Sequence, residues 1–199
     1  TCVCANRFYV QAGVHDAFVE RLAERVAALR VGAGDAEGVQ VGPLIDAAAL
    51  AKVRAHVEDA VAQGARLAAG GQARPDLGAL YFEPTVLTGV TARMKVASEE
   101  TFGPVAPVLV FETEAQAIAL ANQSDYGLAS YFFTRDLGRA LRVAEALEYG
   151  MVGLNTGLVS SAEFPFGGVK QSGFGREGGS QGIAEYLDCK FVAVGGLNG

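Results

Sequence analysis

The chain has 199 residues, a formal net charge of -6, three cysteines, two histidines and no tryptophan, and 50% of its residues are hydrophobic. An acidic chain, with a pI near 5.0, offers no basic stripe to track phosphates, and no apolar run reaches the roughly eighteen residues of a membrane span, which sets aside nucleic acid and membrane as partners. No charged-then-apolar signal opens the chain and three cysteines build no disulfide framework, so the composition reads as a soluble, cytoplasmic protein with room for one to two domains.

Ala5 to Val10 reads as a short strand. Val14, Phe18, Leu22, Val26 and Leu29 then recur at helical spacing until Gly32 and Gly34 stop the helix. A second helix opens behind Gly42-Pro43 with Asp46 as its cap, carries Leu50, Val53, Val57 and Val61 on one face, and ends at Gly64. A turn region over Gly70 to Leu80 leads into an extended stretch from Phe82 to Leu87. The pattern becomes regular after residue 104: an apolar run from Val105 to Phe111, a helix over Glu114 to Asn122 and a second run from Leu128 to Phe133. A helix capped by Asp136 and a third run from Met151 to Leu154 follow. Strands alternating with helices of about ten residues predict βαβ units and a largely parallel sheet. Pro107 inside the first run predicts a sheet edge or a bulge.

Thirteen of the 26 glycines lie between Gly150 and Gly199, so that segment is expected to be mostly loop with close backbone approaches. Tyr186 to Val194 is β-prone and suits a strand added to another sheet. Thr1-Cys2-Val3-Cys4 reads like the middle of a sequence, and a mean hydropathy of +0.24 with only 19% charged residues leaves apolar surface for a missing partner, so the chain is expected to be a fragment.

Gly173-Phe174-Gly175-Arg176-Glu177-Gly178 fits the G-x-G-x-x-G dinucleotide pattern, but Val169 to Ser172 before it and Gly178-Gly179 after it do not supply the strand, helix and distant acid that the fingerprint needs. It reads as a chance match. Cys2-x-Cys4 admits metal binding, buried structural thiols or a nucleophile, and spacing alone does not choose among them. Metal is the weakest reading, because Cys189, His15 and His56 bring no ligand spacing. Both histidines sit on predicted helices among charged residues and are expected to be solvated. Glu99-Glu100-Thr101-Phe102-Gly103-Pro104 is either a solvated turn or an acid and an aromatic suited to a nucleotide.

Six separated stretches resemble the aldehyde dehydrogenase superfamily in order and spacing: Thr1-Cys2-Val3-Cys4-Ala5-Asn6-Arg7, Gly42-Pro43-Leu44, Phe82-Glu83-Pro84-Thr85, Glu99 to Pro104, Tyr126-Gly127-Leu128-Ala129 and Pro165 to Gly173. Leu147 to Asn155, the Ser160-Ser161 pair and Gly175 to Gly178 are most similar to the C-terminal, catalytic part of succinate-semialdehyde dehydrogenases. The resemblance implies an α/β, parallel-sheet catalytic domain over residues 1–182 and a C-terminal oligomerisation strand or tail over 183–199, in a homo-oligomer whose cofactor domain lies outside this chain.

The resemblance also implies site roles. Cys2 matches the nucleophile that attacks a small-molecule aldehyde, forming a thiohemiacetal and then a thioester. Glu100 and Phe102 match the acid and aromatic that meet the nicotinamide ribose of NAD or NADP. Ser160 matches a loop position that hydrogen-bonds a substrate's distal carboxylate, with cationic help from outside the chain, and Phe166 a residue lining the aldehyde pocket. Cys4 matches a redox neighbour that closes a local disulfide with Cys2, or is a bystander. The implied reaction is oxidation of succinate semialdehyde to succinate, or of another semialdehyde or aliphatic aldehyde. The general base and the oxyanion-hole amide are not in this sequence, so the chain alone is expected to be inactive. Cys189 is assigned no role.

Overall fold

A computed structural model describes residues 2–196. They form two compact units, divided between Ser124 and Asp125. That division falls within the stretch expected as one domain over residues 1–182, because every strand pairing closes within one unit or the other.

In the first unit β1 (Phe8–Gln11) runs through a 3-10 turn into α1 (His15–Ala27), and α2 (Ala47–Ala62) leads to β2 (Arg66–Ala69) and β3 (Thr85–Thr88). The one-turn α3 (Lys95–Ser98), β4 (Val105–Phe111) and α4 (Glu114–Asn122) complete it. The four-stranded sheet has the order β1-β4-β3-β2, with β4 parallel to both neighbours and β2 antiparallel to β3. The sheet is therefore mixed: two of its three pairings are parallel, as expected, and the edge strand β2 is antiparallel.

Alternation along the strands explains why both faces are covered. Val10, Val86 and Val108 point to one face and pack with Val19, Leu22 and Val26 of α1. Tyr9, Leu87, Val105 and Leu109 point to the other, where Val53, Val57 and Ala60 of α2 and Met94 close the larger core. Asp46 caps α2 by accepting a hydrogen bond from Ala49 N–H at 2.7 Å, as its sequence position predicts.

Pro107 corrects one expectation. It lies in the central strand, neither at an edge nor at a bulge. The neighbouring strands are offset, so β3 pairs with Val105 to Pro107 and β1 with Val108 to Phe111. The proline stands where one pairing hands over to the other, the position in a central strand least harmed by a missing donor.

In the second unit β6 (Ala129–Phe132), α5 (Leu137–Ala146) and β7 (Met151–Leu154) make a βαβ unit with parallel strands in register from Ala129 opposite Met151. β5 (Tyr126–Gly127) pairs antiparallel with β8 (Val169–Lys170), and a 3-10 turn spans Gly182–Tyr186. Within this chain the segment from Tyr186 to Val194, expected to add as a strand to another sheet, pairs with none: residues 187–196 take no regular structure, and Phe191 is 92% exposed. A strand exists only through its ladder, and no strand among the described residues offers this segment a partner. The end of the expected tail, residues 197–199, lies outside the described residues.

Candidate functional site

In the first unit the N-terminal loop and the loop from Glu99 to Pro104 are joined by one side chain. Asn6 Nδ2 donates to the Glu99 carbonyl at 3.1 Å, and Thr101 N–H donates to Asn6 Oδ1 at 3.1 Å. An amide carries both a donor and an acceptor, so Asn6 completes two backbone bonds at once. Cys2 and Cys4, just before it, are exposed thiols.

The same loop is gripped from its other side by His56 of α2. Its Nδ1 lies 2.9 Å from Thr101 Oγ1 and its Nε2 lies 3.2 Å from Glu99 Oε2. A carboxylate only accepts, so in the neutral ring Nε2–H donates to Glu99 and Nδ1 accepts the Thr101 hydroxyl proton. His56 is 2% exposed, which overturns the expectation of a solvated residue. Its charged neighbours Arg54 and Glu58 suggested solvent, yet position 56 shares the apolar face with Val53 and Ala60, three and four residues away. His15 is also partly buried, with Nε2 at 3.2 Å from Thr88 Oγ1 and Nδ1 at 2.8 Å from Asp16.

Between the two gripped residues, Glu100 is exposed and, among the described residues, its carboxylate has no partner. Phe102 follows at φ 48, an uncommon conformation for a bulky aromatic, with 51% of its surface exposed. The far end of the loop is fixed by Thr85 N–H donating to the Pro104 carbonyl at 2.8 Å. An unengaged carboxylate accepts hydrogen bonds of the kind that ribose hydroxyls donate, and an accessible ring two residues on offers a flat apolar face. Glu100 and Phe102 thus stand two residues apart on one loop, which Asn6 ties to the loop of Cys2.

In the second unit Ser160 and Phe166 line one open concavity of about 310 Å³ together with Ser161, Ala162, Glu177 and Gly178. Phe166 is held by an antiparallel bridge in which its N–H and that of Glu177 each donate to the other's carbonyl at 2.7 Å. Arg176 Nη1 donates to the Gly168 and Gly175 carbonyls at 2.8 and 2.7 Å, fastening the glycine-rich turn behind. Gly173, Gly175, Gly178 and Gly179 all have positive φ. They form turns with no α-helix after them, so the sequence pattern is not built as a dinucleotide fingerprint. Ser161 donates to the Glu163 carboxylate, while the Ser160 hydroxyl has no partner among the described residues.

Sequence reasoning missed Asn6, His56 and Asn155. Asn155, at φ 55, accepts from Thr134 N–H at 2.9 Å and donates to the Thr134 carbonyl at 2.8 Å, fixing the start of the loop that leads to Ser160. An asparagine directly after an apolar run is the available signal, since it tolerates this conformation. Among the described residues no three His, Cys, Asp or Glu side chains cluster as a metal site, and no helix is long and apolar enough to cross a membrane.

Residues 1–192 match the model of the aldehyde dehydrogenase family. The chain is 57% identical over 198 residues to the 3-sulfolactaldehyde dehydrogenase of Pseudomonas putida, covering 100% of this chain and 40% of that protein. It is 53% identical over 195 residues to the NADP(+) succinate-semialdehyde dehydrogenase of Escherichia coli, covering 98% and 40%. A crystal structure of succinate-semialdehyde dehydrogenase from Burkholderia pseudomallei superposes with a TM-score of 0.92 at 56% identity, over 94% of this chain and 38% of that one. The chain therefore spans well under half the length of the relatives it matches.

Proposed function

The chain belongs to the aldehyde dehydrogenase family, and from that premise we propose that it is the nucleophile-bearing part of an NAD- or NADP-dependent dehydrogenase that oxidises succinate semialdehyde to succinate. The observation that carries the reading is the Asn6 bridge, which ties the loop of the exposed Cys2 thiol to the loop that presents Glu100 and Phe102.

Cys2 attacks the aldehyde carbon as a thiolate, forming a thiohemiacetal. Its own backbone N–H donates to the oxyanion, alongside a side-chain amide from the rest of the longer protein. A bound nicotinamide cofactor would supply the hydride acceptor that takes the thiohemiacetal on Cys2 to a thioester. Glu100 would accept hydrogen bonds from its ribose hydroxyls, and Phe102 would pack beside them. Water, activated by a base outside this chain, cleaves the thioester to the carboxylic acid and returns the thiol. The Ser160 hydroxyl donates to the substrate's distal carboxylate and Phe166 walls the aldehyde pocket.

The relatives named above act, by name, on a sulfonated and a carboxylated aldehyde. An aldehyde with a distal acid group is therefore the substrate class, and another semialdehyde is the second reading. The protein works as a cytoplasmic homo-oligomer in which residues 183–199 join a neighbouring subunit, and Cys4 forms a reversible disulfide with Cys2 under oxidation.

The test is turnover by the full-length enzyme with NAD or NADP. Succinate semialdehyde is expected to show a higher kcat/KM than an uncharged aldehyde of equal length, and Cys2→Ala to abolish turnover. A higher kcat/KM for the uncharged aldehyde defeats the substrate assignment, and full activity in Cys2→Ala defeats the mechanism.

A further inference from the structure

We propose that His56 is a positioning residue for the cofactor, aiming the Glu100 carboxylate by gripping the residues on either side of it; this rests on the dehydrogenase reading above. Glu99 lies in extended backbone, φ -98 and ψ 144. In extended chain successive side chains point to opposite sides. Glu99 and Thr101 therefore share the side that faces His56, and Glu100 is thrown to the other, where it is exposed and unengaged while Thr101 is 1% exposed.

The imidazole suits this task because its two nitrogens reach two partners from opposite edges of one rigid ring. A buried polar ring is costly unless both nitrogens are satisfied, and here both partners are the immediate neighbours of Glu100. The chain must then reverse at Phe102, whose positive φ persists only where its surroundings hold it. The hold is complete on that side as well: a Cβ on Gly103 would stand 2.4 Å from Val53 Cγ2, so the loop lies against the same turns of α2 that carry His56.

The experiment uses the full-length enzyme and reads cofactor Kd by fluorescence titration, KM for cofactor and for aldehyde, the rate of Cys2 alkylation by iodoacetamide, and the thermal midpoint. Thr101→Val keeps the volume and removes the hydroxyl. It is expected to weaken cofactor binding about tenfold, with aldehyde KM and alkylation unchanged. Thr101→Ser keeps the hydroxyl and is expected to bind within about twofold of the parent. Should Thr101→Val not fold, Glu99→Ala at an exposed carboxylate removes the other grip and is expected to weaken the cofactor about threefold.

Parent-like cofactor binding in a folded Thr101→Val protein, or in Glu99→Ala where that is the variant that folds, overturns the role of His56. So does equal weakening by Thr101→Val and Thr101→Ser. Glu100→Ala separates the two levels of the argument. If it too binds cofactor like the parent, the ribose assignment of Glu100 is what falls, whereas a weakened Glu100→Ala beside an unaffected Thr101→Val removes only His56 positioning.

Discussion

A Cβ placed on Gly150 would lie 2.0 Å from the carbonyl oxygen of Gly167. The turn before β7 and the loop of Phe166 thus meet backbone to backbone, and only glycine leaves room. Gly150→Ala must push them apart, at a cost of about 1–3 kcal/mol in denaturant unfolding. Because Gly167 adjoins Phe166, the aldehyde KM of the full-length enzyme is expected to rise as well. Parent-like stability in this variant would show that the two segments do not meet in solution.

Asn6 makes the second prediction. Asn6→Asp keeps an acceptor for Thr101 N–H but turns a carboxylate toward the Glu99 carbonyl, where the amide had donated. Both Asn6→Asp and Asn6→Ala are expected to weaken cofactor binding, each by about three- to tenfold. They should also change the alkylation rate of Cys2, which Thr101→Val leaves alone, because only Asn6 belongs to the nucleophile's own loop. Alkylation unchanged in both Asn6 variants would mean that the bridge does not organise the thiol.

For the core, Leu87 is fully buried between the sheet and α2, whereas Leu141 on α5 is 60% exposed. Leu87→Ala is expected to cost about 2–5 kcal/mol, and Leu141→Ala under about 0.5 kcal/mol, measured by denaturant unfolding of the full-length protein. A cost at Leu141 comparable to that at Leu87 would mean that its exposed face is covered in the longer protein.

What the sequence made legible follows from how local each signal is. β4, α4 and β7 occupy the predicted residues, and α5 starts at its predicted cap Asp136, because apolar runs and caps act within a few positions. β2, an exposed Arg-Leu-Ala-Ala segment, carries no such signal and exists through its pairing with β3. The burial of His56 is not legible locally, because its two partners stand 43 and 45 residues away. The motif that located Glu100 and Phe102 is silent on the strained φ at Phe102. That Ser160 and Phe166 share a concavity depends on the bridge from Phe166 to Glu177, which only tertiary structure brings together.

The Cys2–Cys4 pair gives the fourth prediction. Mild peroxide followed by a thiol reductant should inactivate and then restore the full-length enzyme, and Cys4→Ala should remove the reversible part of that loss. Reversible inactivation undiminished in Cys4→Ala would rule out the local disulfide.

Glu163 gives the last prediction, and it bears on which aldehydes the site accepts. The Ser161 hydroxyl donates to the Glu163 carboxylate and holds it below its ordinary value of 4.5, since a hydrogen bond to the charged form favours that form. The folded value is the lower one, so the bond is fully in force above about pH 4.5 and is lost as pH falls through the folded value. In Ser161→Ala the carboxylate is expected to titrate higher, read by NMR; an unchanged value would remove the bond as the cause. At neutral pH Glu163 is therefore a negative charge three residues from Ser160, on the loop proposed to receive the substrate's own carboxylate. Glu163→Gln removes the repulsion and should lower KM for succinate semialdehyde while leaving an uncharged aldehyde unaffected. The gap should narrow with added salt, which screens an exposed charge. An equal change for both aldehydes would place the distal carboxylate elsewhere, and Ser160 would lose its assignment.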